Sequence, residues 1–265
     1  MLFRLFLCGA LVCGAAFFVL SCGDSSSSLS PVVIGESRFE RSGGPDCDLP
    51  DTLQYKCARI ELEWPVLESG SETLKANFAK WAESYLVSML TIGESADAVR
   101  EIEPAAALFL SAHDEFLRER EEGVMGNWAV DAGYNILLND GAHLSAQINA
   151  YTYAGGAHGL GGAQIASFDT RTGKQLDWED LVADQSALRN LAEKAFRKER
   201  ADAFAEGFDF DETFVFDLPQ NFGLTEQGIL FYYNPYEIGP YAMGATEFVI
   251  PFEELGDLAK IKKGK

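Results

Sequence analysis

The segment YTYAGGAHGLGGAQ, residues 151–164, places His158 among five glycines. An imidazole acts as a general base only when an acid or a nucleophile lies within hydrogen-bond reach. The nearest side chains of that kind in the sequence pattern are those of Tyr153, Ser167 and Asp169. Hydrolysis by His158 together with Asp169 is therefore the catalytic hypothesis for this segment.

The glycines support a simpler interpretation of the same segment. Glycine adopts positive φ angles without a steric penalty, so Gly155, Gly156 and Gly159 predict a turn between two strands. His158 would then hydrogen-bond the loop to itself. A third interpretation makes His158 and Tyr153 contacts to a ligand. The sequence contains no G-x-S-x-G or H-E-x-x-H pattern and no zinc-spaced cluster of His and Cys, so we expect no catalytic activity, metal or cofactor.

A second segment with chemical potential is YYNPYEIGPYAMG, residues 232–244. Tyrosines on rigid loops supply a large contact area at a low entropic cost, so Tyr236 and Tyr241 predict a surface for a protein or a saccharide. The alternative is that these rings fill the core beneath the loop together with Ile238. Glu237 is a candidate acidic contact, but no second carboxylate is identifiable at the separation that a glycosidase needs.

The cysteines indicate an oxidising compartment. Cys47 and Cys57 form an isolated pair, and two thiols without a nearby histidine make a poor zinc site. We expect one disulfide that closes a loop of about ten residues and contributes roughly 2 to 3 kcal/mol to stability. His113 and His143 are expected to be structural or solvated.

The start of the chain predicts export. Residues 1–21 carry a single charge, on Arg4, followed by an apolar run that is short for a membrane span, as in a secretory signal peptide. A small residue before Cys22 resembles the lipobox of bacterial lipoproteins, which implies acylation of Cys22 and a lipid anchor on the extracytoplasmic side of a membrane. Residues 22–31, rich in serine, suit a flexible tether. An uncleaved anchor helix is the alternative.

The charge limits the class of partner. The formal net charge is −20. Such a surface repels nucleic acid and anionic lipid headgroups, and it favours encounter with cationic partners. Solubility alone is the other explanation of this charge.

Helices and strands occupy separate blocks of the sequence. Alternating apolar residues predict a meander of antiparallel strands, and apolar residues at helical spacing predict about three helices packed on it. A capping box at Ser69 and Glu72 is predicted to start the first helix. Gly173 fits the left-handed position of a short hairpin loop. The fold class is therefore α+β. The predicted strands are 32–41, 58–67, 127–138, 142–153, 164–169, 174–176, 228–233 and 247–251, and the predicted helices begin near Ser69, Pro104 and Asp184.

Three motifs in this order carry a resemblance: YTYAGGAHG, SFDTRTGKQLDWEDLV and GILFYYNPYEIGPYAMGATEFVIPFEEL. The chain resembles a family of bacterial extracytoplasmic domains known from the outer part of the lysozyme-sensing anti-sigma factor RsiV and from the N-terminal region of the peptidoglycan deacetylase PdaC. The resemblance implies an α+β fold in two modules, residues 32–120 and 121–258, followed by a basic tail, residues 259–265.

One member of that family binds lysozyme, a small and strongly cationic protein, and an acidic surface has the sign to attract it. We therefore expect a lipid-anchored binding protein of the cell envelope that recognises a lysozyme-like cationic hydrolase or peptidoglycan, and that does not bind nucleic acid. A cell-wall hydrolase or esterase using His158 and Asp169 is the first alternative. A structural envelope module without a soluble ligand is the second.

Overall fold

The computed structural model describes residues 30–92, 99–119, 126–208 and 216–261. The predicted signal peptide, Cys22, most of the tether and the last four residues of the predicted tail lie outside these ranges. None of the described helices has the length and apolar character needed to cross a membrane.

The first layer is a five-stranded sheet in which strands neighbour one another in chain order. All its pairs are antiparallel except the pair of the second and third strands, which is parallel. The predicted antiparallel meander is confirmed in the third, fourth and fifth strands. The second and third strands pair in parallel, because two helices separate them in the chain and a helical crossover permits parallel pairing. The strands are β1 Ile34–Gly43, β2 Ala58–Leu67, β3 Trp128–Asn139, β4 His143–Tyr153 and β5 Leu160–Asp169.

Helices α1 (Glu72–Leu90) and α2 (Ile102–Glu119) cover one face of this sheet. The predicted capping residue was wrong by two positions. Ser71 caps α1, since its side chain accepts a hydrogen bond from the Leu74 amide. Ser69 instead accepts one from the Val33 amide, which fastens the chain before β1 to the loop before α1.

The second layer is a three-stranded antiparallel sheet with α4 packed against it. The α4 helix begins after Asp184, whose carboxylate caps the Ser186 and Ala187 amides as predicted. The predicted strand 174–176 is reduced to a single bridge between Phe168 and Gln175. The elements of this layer are α3 Trp178–Leu181, α4 Gln185–Glu199, α5 Ala201–Ala205, β6 Asn221–Leu224, β7 Gly228–Tyr233, β8 Thr246–Pro251 and α6 Phe252–Leu255.

The α+β fold class is confirmed, and the core divides the chain into two clusters. One cluster contains buried residues from Val32 to Phe168 and the other contains buried residues from Leu176 to Ala259. The predicted module boundary at residue 120 falls between β2 and β3, two neighbouring strands of one sheet, whereas the clusters divide after Phe168. Ala259, placed in the predicted tail, bridges to Val182 in the second cluster.

The expected disulfide is present in the structure. Cys47 and Cys57 are bonded across a sequence separation of 10 residues, with their Cα atoms 4.9 Å apart. The bond closes the segment between β1 and β2. Cys57 is buried, so the crosslink is anchored at the point where β2 enters the core.

Candidate binding corner

The glycine-rich segment forms the connection between β4 and β5. Gly155 and Gly156 have φ angles of 87° and 92°, as expected for a turn that only glycine adopts without strain. The Tyr153 hydroxyl donates to the Gly156 carbonyl at 3.1 Å and holds the turn against β4. A Cβ atom at Gly159 would lie 2.3 Å from the end of the Tyr151 ring, so a larger residue there would displace that exposed side chain.

His158 is held by two contacts in this connection. Its Nδ1 lies 3.0 Å from the Gly159 carbonyl oxygen. Because a carbonyl oxygen only accepts, Nδ1 is the donor of this hydrogen bond. The ring stacks on Tyr241, with centroids 4.1 Å apart and planes 17° apart. The Tyr241 hydroxyl donates to the same carbonyl at 3.2 Å.

The structure separates His158 from Asp169 and Ser167, two of its three predicted catalytic partners. Asp169 ends β5 and pairs with His143, whereas Leu160 begins β5. Leu160 and Asp169 are nine residues apart along an extended strand, so Asp169 lies roughly 30 Å from the end of β5 that adjoins His158. Ser167 is buried and donates to the Ser145 hydroxyl at 2.9 Å. The predicted pairing of His158 with Asp169 is therefore wrong, because the strand between them is extended.

Asp169 organises the turn that follows β5. Its carboxylate accepts hydrogen bonds from the Thr172 amide at 2.7 Å and the Thr172 hydroxyl at 2.8 Å. Partial burial acts to raise the pKa of this carboxyl, but the Thr172 hydrogen bonds and the charge of Arg171 prevail and lower it. Gly173 has the predicted positive φ, 73°, and its carbonyl accepts from the Asn77 amide group on α1 at 2.8 Å.

The tyrosine-rich loop turns sharply after β7. The Glu237 carboxylate accepts from the Asn234 amide at 2.8 Å, so this residue stabilises the turn. Ile238 is buried, as the core-filling alternative predicted. Tyr236 is not buried, since it is 59% exposed. Its φ is 71°, and no other non-glycine residue in the described ranges has a positive φ. Its ring lies 5.3 Å from that of Tyr241.

Two asparagines fasten the smaller sheet to the free edge of β5. The Asn234 side chain accepts from the Ala163 amide at 2.8 Å and donates to the Ala163 carbonyl at 3.1 Å, as a neighbouring strand would. Asn221 accepts from the Ile165 amide at 3.1 Å. Sequence reasoning missed both residues. The sequence signal for Asn234 was its place at the end of a strand pattern, in YYNP. The signal for Asn221 was its place at the start of a short apolar segment, in QNFGL.

These contacts join the glycine-rich and tyrosine-rich segments into one surface, which we call the aromatic corner and define by Tyr151, His158, Tyr236 and Tyr241. A cleft of about 370 Å³ lies beside it, between the end of α1 and the β4–β5 hairpin. Thr152 Oγ1 is buried there without a hydrogen-bond partner among the described residues. Clefts of this size with few polar groups are typical of ligand sites.

The described part of the chain offers no set of side chains that could bind a metal ion. No group of three or more His, Cys, Asp or Glu side chains is placed there so that it could hold an ion. The interpretation of the corner therefore depends on its aromatic rings and hydrogen-bonding groups.

The fold defines an α+β protein in which a five-stranded and a three-stranded sheet meet at the aromatic corner. Residues 179–253, which include α4 and the smaller sheet, match the family model DUF3298, described as a protein of unknown function. No curated protein matches the chain.

Two solved structures share the fold. A DUF3298 family member from Bacteroides fragilis is 19% identical, with a TM-score of 0.65, and a DUF3298 family protein from Pseudomonas aeruginosa is 22% identical, with a TM-score of 0.61. Each comparison covers 88% of this chain and 96% of the other. The resemblance is thus confirmed as a DUF3298 domain match and a shared fold, while the specific likeness to RsiV and PdaC stays a prediction.

Proposed function

We propose that this protein is a lipid-anchored binding protein of the cell envelope, and that its aromatic corner contacts a lysozyme-like cationic hydrolase or a cell-wall component. The observation that carries the proposal is the conformation of Tyr236. Its backbone lies in the left-handed region, which costs a non-glycine residue about 1 kcal/mol or more. Burial does not compensate for that cost, because the ring is 59% exposed.

A strained and exposed aromatic ring suits a binding surface. Tyr236 contacts Tyr241, which stacks on His158, so the exposed ring is supported by two others and loses little freedom on binding. Leu160 and Tyr151, 50% and 42% exposed, extend the apolar area around the hairpin. Exposed aromatic and aliphatic side chains close together are characteristic of interaction sites.

The charge and the resemblance support a cationic hydrolase as the proposed partner. A net charge of −20 attracts cationic proteins, and the resemblance to the RsiV outer domain suggests lysozyme as the first one to test. Export and acylation of Cys22 would place the corner where such hydrolases act. Replacing Cys22 by alanine should abolish fatty-acid labelling of the chain; persistent labelling would contradict the anchor.

The test is a titration of the full-length chain, purified in detergent, with lysozyme at low and at moderate salt. Cytochrome c, another small basic protein, serves as the control for charge alone. We expect saturable binding of lysozyme that weakens with salt and is stronger than binding of cytochrome c. Equal affinity for both proteins, or no binding of either, would contradict the lysozyme proposal; the second result would favour a structural envelope module.

A pair of matched variants tests the corner itself. Asparagine tolerates the left-handed region, so Tyr236→Asn removes the ring without adding backbone strain. We expect lysozyme affinity to fall by about tenfold or more, as for a central interface tyrosine. Tyr55, which is 50% exposed beside the disulfide, provides the control Tyr55→Asn. The corner is not the contact surface if both variants bind equally well.

A further inference from the structure

The face of the five-stranded sheet opposite α1 and α2 is only partly covered. The β6 strand packs on its β4–β5 side, where a Cβ atom on Gly223 would lie 2.6 Å from Ile165 and 2.8 Å from the Ser145 hydroxyl. Within the described ranges, a trough of about 400 Å³ remains over β1, β2, β3 and the neighbouring part of β4. Gly133 lines it, and no atom lies within 4 Å of the position that a Cβ there would occupy.

Three carboxylates cross this trough in register on three adjacent strands. Glu40 pairs with Glu61 across β1 and β2, and Glu61 pairs with Asp131 across β2 and β3. Like charges directly opposite one another destabilise a sheet. Tyr151 follows Asp131 in the same row, on β4.

Only part of this charge is neutralised within the chain. Arg38 forms ion pairs with Glu63 and with Glu40, the latter at 3.3 Å. Glu61 and Asp131 have no hydrogen-bond donor or cation as a partner among the described residues. Partial burial raises the pKa of Asp131, although the residue stays exposed to solvent in the open trough.

We infer that this trough is a docking surface for an arginine or lysine side chain of a cationic protein partner. A cation placed between Glu61 and Asp131 would relieve their repulsion, which is the charge complementarity that favours this occupant. Tyr151, 42% exposed, lines the trough at the end of the row, and an aromatic ring is a favourable neighbour for a cation. The inference deepens the proposed function and rests on it, because it names the charged group by which the partner is recognised.

The trough is continuous with the aromatic corner. The Tyr151 ring lies against Gly159, whose carbonyl accepts from Tyr241 and His158. One partner could therefore insert a basic side chain into the trough while its apolar surface covers the corner.

The test measures binding of a fluorescein-labelled arginine tripeptide to the full-length chain at low salt. The variant Glu61→Gln/Asp131→Asn removes two charges from the trough. The control Glu253→Gln/Glu254→Gln removes two exposed charges from α6, so the net charge is the same. We expect the peptide affinity to fall about tenfold in the first variant and less than twofold in the control.

Two further readouts keep the outcome decisive. Because repulsion is removed, Glu61→Gln/Asp131→Asn should not lower the thermal midpoint of unfolding. Gly133→Leu fills the trough without changing the charge, and it should weaken peptide binding to the same degree. The inference would be overturned if the trough variant and its control lost peptide affinity equally. It would also be overturned if Glu61→Gln/Asp131→Asn lowered the thermal midpoint, or if Gly133→Leu left peptide binding unchanged.

The result is separable from that of the proposed function. Peptide binding in the trough without lysozyme binding removes lysozyme as the partner and leaves the docking surface in place. Lysozyme binding that depends on Tyr236 but is unchanged by Glu61→Gln/Asp131→Asn supports the proposed function and refutes the docking surface.

Discussion

The imidazole of His158 lies parallel to the ring of Tyr241, at a centroid distance of 4.1 Å, and both side chains bond to the Gly159 carbonyl. This shared carbonyl joins a β-hairpin of the larger sheet to a loop of the smaller one. The corner is therefore a single surface built from two distant segments, and its rings support one another.

The first prediction concerns the hydroxyl of Tyr241. Replacement of Tyr241 by Phe should lower the free energy of unfolding by about 1 kcal/mol, because the buried Gly159 carbonyl loses a donor. Tyr236→Phe removes a hydroxyl from an exposed ring and should change it by less than about 0.5 kcal/mol. Urea denaturation of both variants measures the difference. Equal effects would show that the Tyr241 hydrogen bond contributes nothing.

The second prediction concerns the contact between the sheets at Asn234. Asn234→Ala should cost about 1 to 3 kcal/mol, since the amide and carbonyl of Ala163 both lose their partner. Hydrogen exchange of the Ala163 amide should also become faster. Asn190→Ala, on the exposed face of α4, is the control and should be neutral or slightly stabilising. Unchanged exchange at Ala163 would argue against the edge pairing.

The third prediction separates backbone strain from steric overlap at Gly173. A Cβ atom there would lie 2.6 Å from the backbone nitrogen of Leu74, and φ is 73°. Gly173→Ala should therefore destabilise the protein by about 2 kcal/mol or more. Gly156→Ala has a similar φ but no neighbour within 4 Å, so it should cost only about 1 kcal/mol. Thermal unfolding of the two variants compares them.

The fourth prediction is a loss of stability in acid through Asp180. Its carboxylate accepts from the Asp177 amide at 2.9 Å and pairs with Lys174 at 2.6 Å, and these contacts lower its pKa below the ordinary 3.8. A lowered pKa contributes stability that is present above about pH 4 and is lost as the pH falls through the folded-state pKa. Between pH 6 and pH 3, the free energy of unfolding should fall less in Asp180→Asn than in the wild type, as measured by denaturation at each pH.

Asp131 should behave in the opposite way. Its pKa is raised, so its charged form costs stability above that pKa. Asp131→Asn should therefore stabilise the protein at neutral pH and have little effect in acid. A destabilising effect at pH 7 would mean that the carboxylate has a partner that supports the fold.

The last prediction concerns the disulfide. Reduction, or the double substitution Cys47→Ala/Cys57→Ala, should lower the free energy of unfolding by roughly 2 to 3 kcal/mol, since the unfolded chain gains freedom. Alkylation without reductant should modify neither thiol in the native protein. Two freely alkylated cysteines would refute the crosslink.

Local patterns predicted the elements well where the signal is strong. The alternating residues of ARIELEWPVL predicted β2 at the observed bounds, Ala58–Leu67, and Asp184 was correctly predicted to cap a helix. The four-residue β6, Asn221–Leu224, was missed because so short a strand has no readable period. The cap of α1 shifted from Ser69 to Ser71 because Ser69 bonds to Val33, a contact outside any local window.

The sequence by itself determined the α+β class, the disulfide pair, the positive φ of Gly155, Gly156 and Gly173, and the acidic charge, because each depends on composition or on neighbours within a few residues. Only the tertiary structure decided which segments meet. It placed His158 on Tyr241 and far from Asp169, and it set Glu61 beside Asp131 across a parallel pair. These relationships depend on strand register and sheet packing between distant parts of the chain, which cooperative burial of the core determines and local propensity does not.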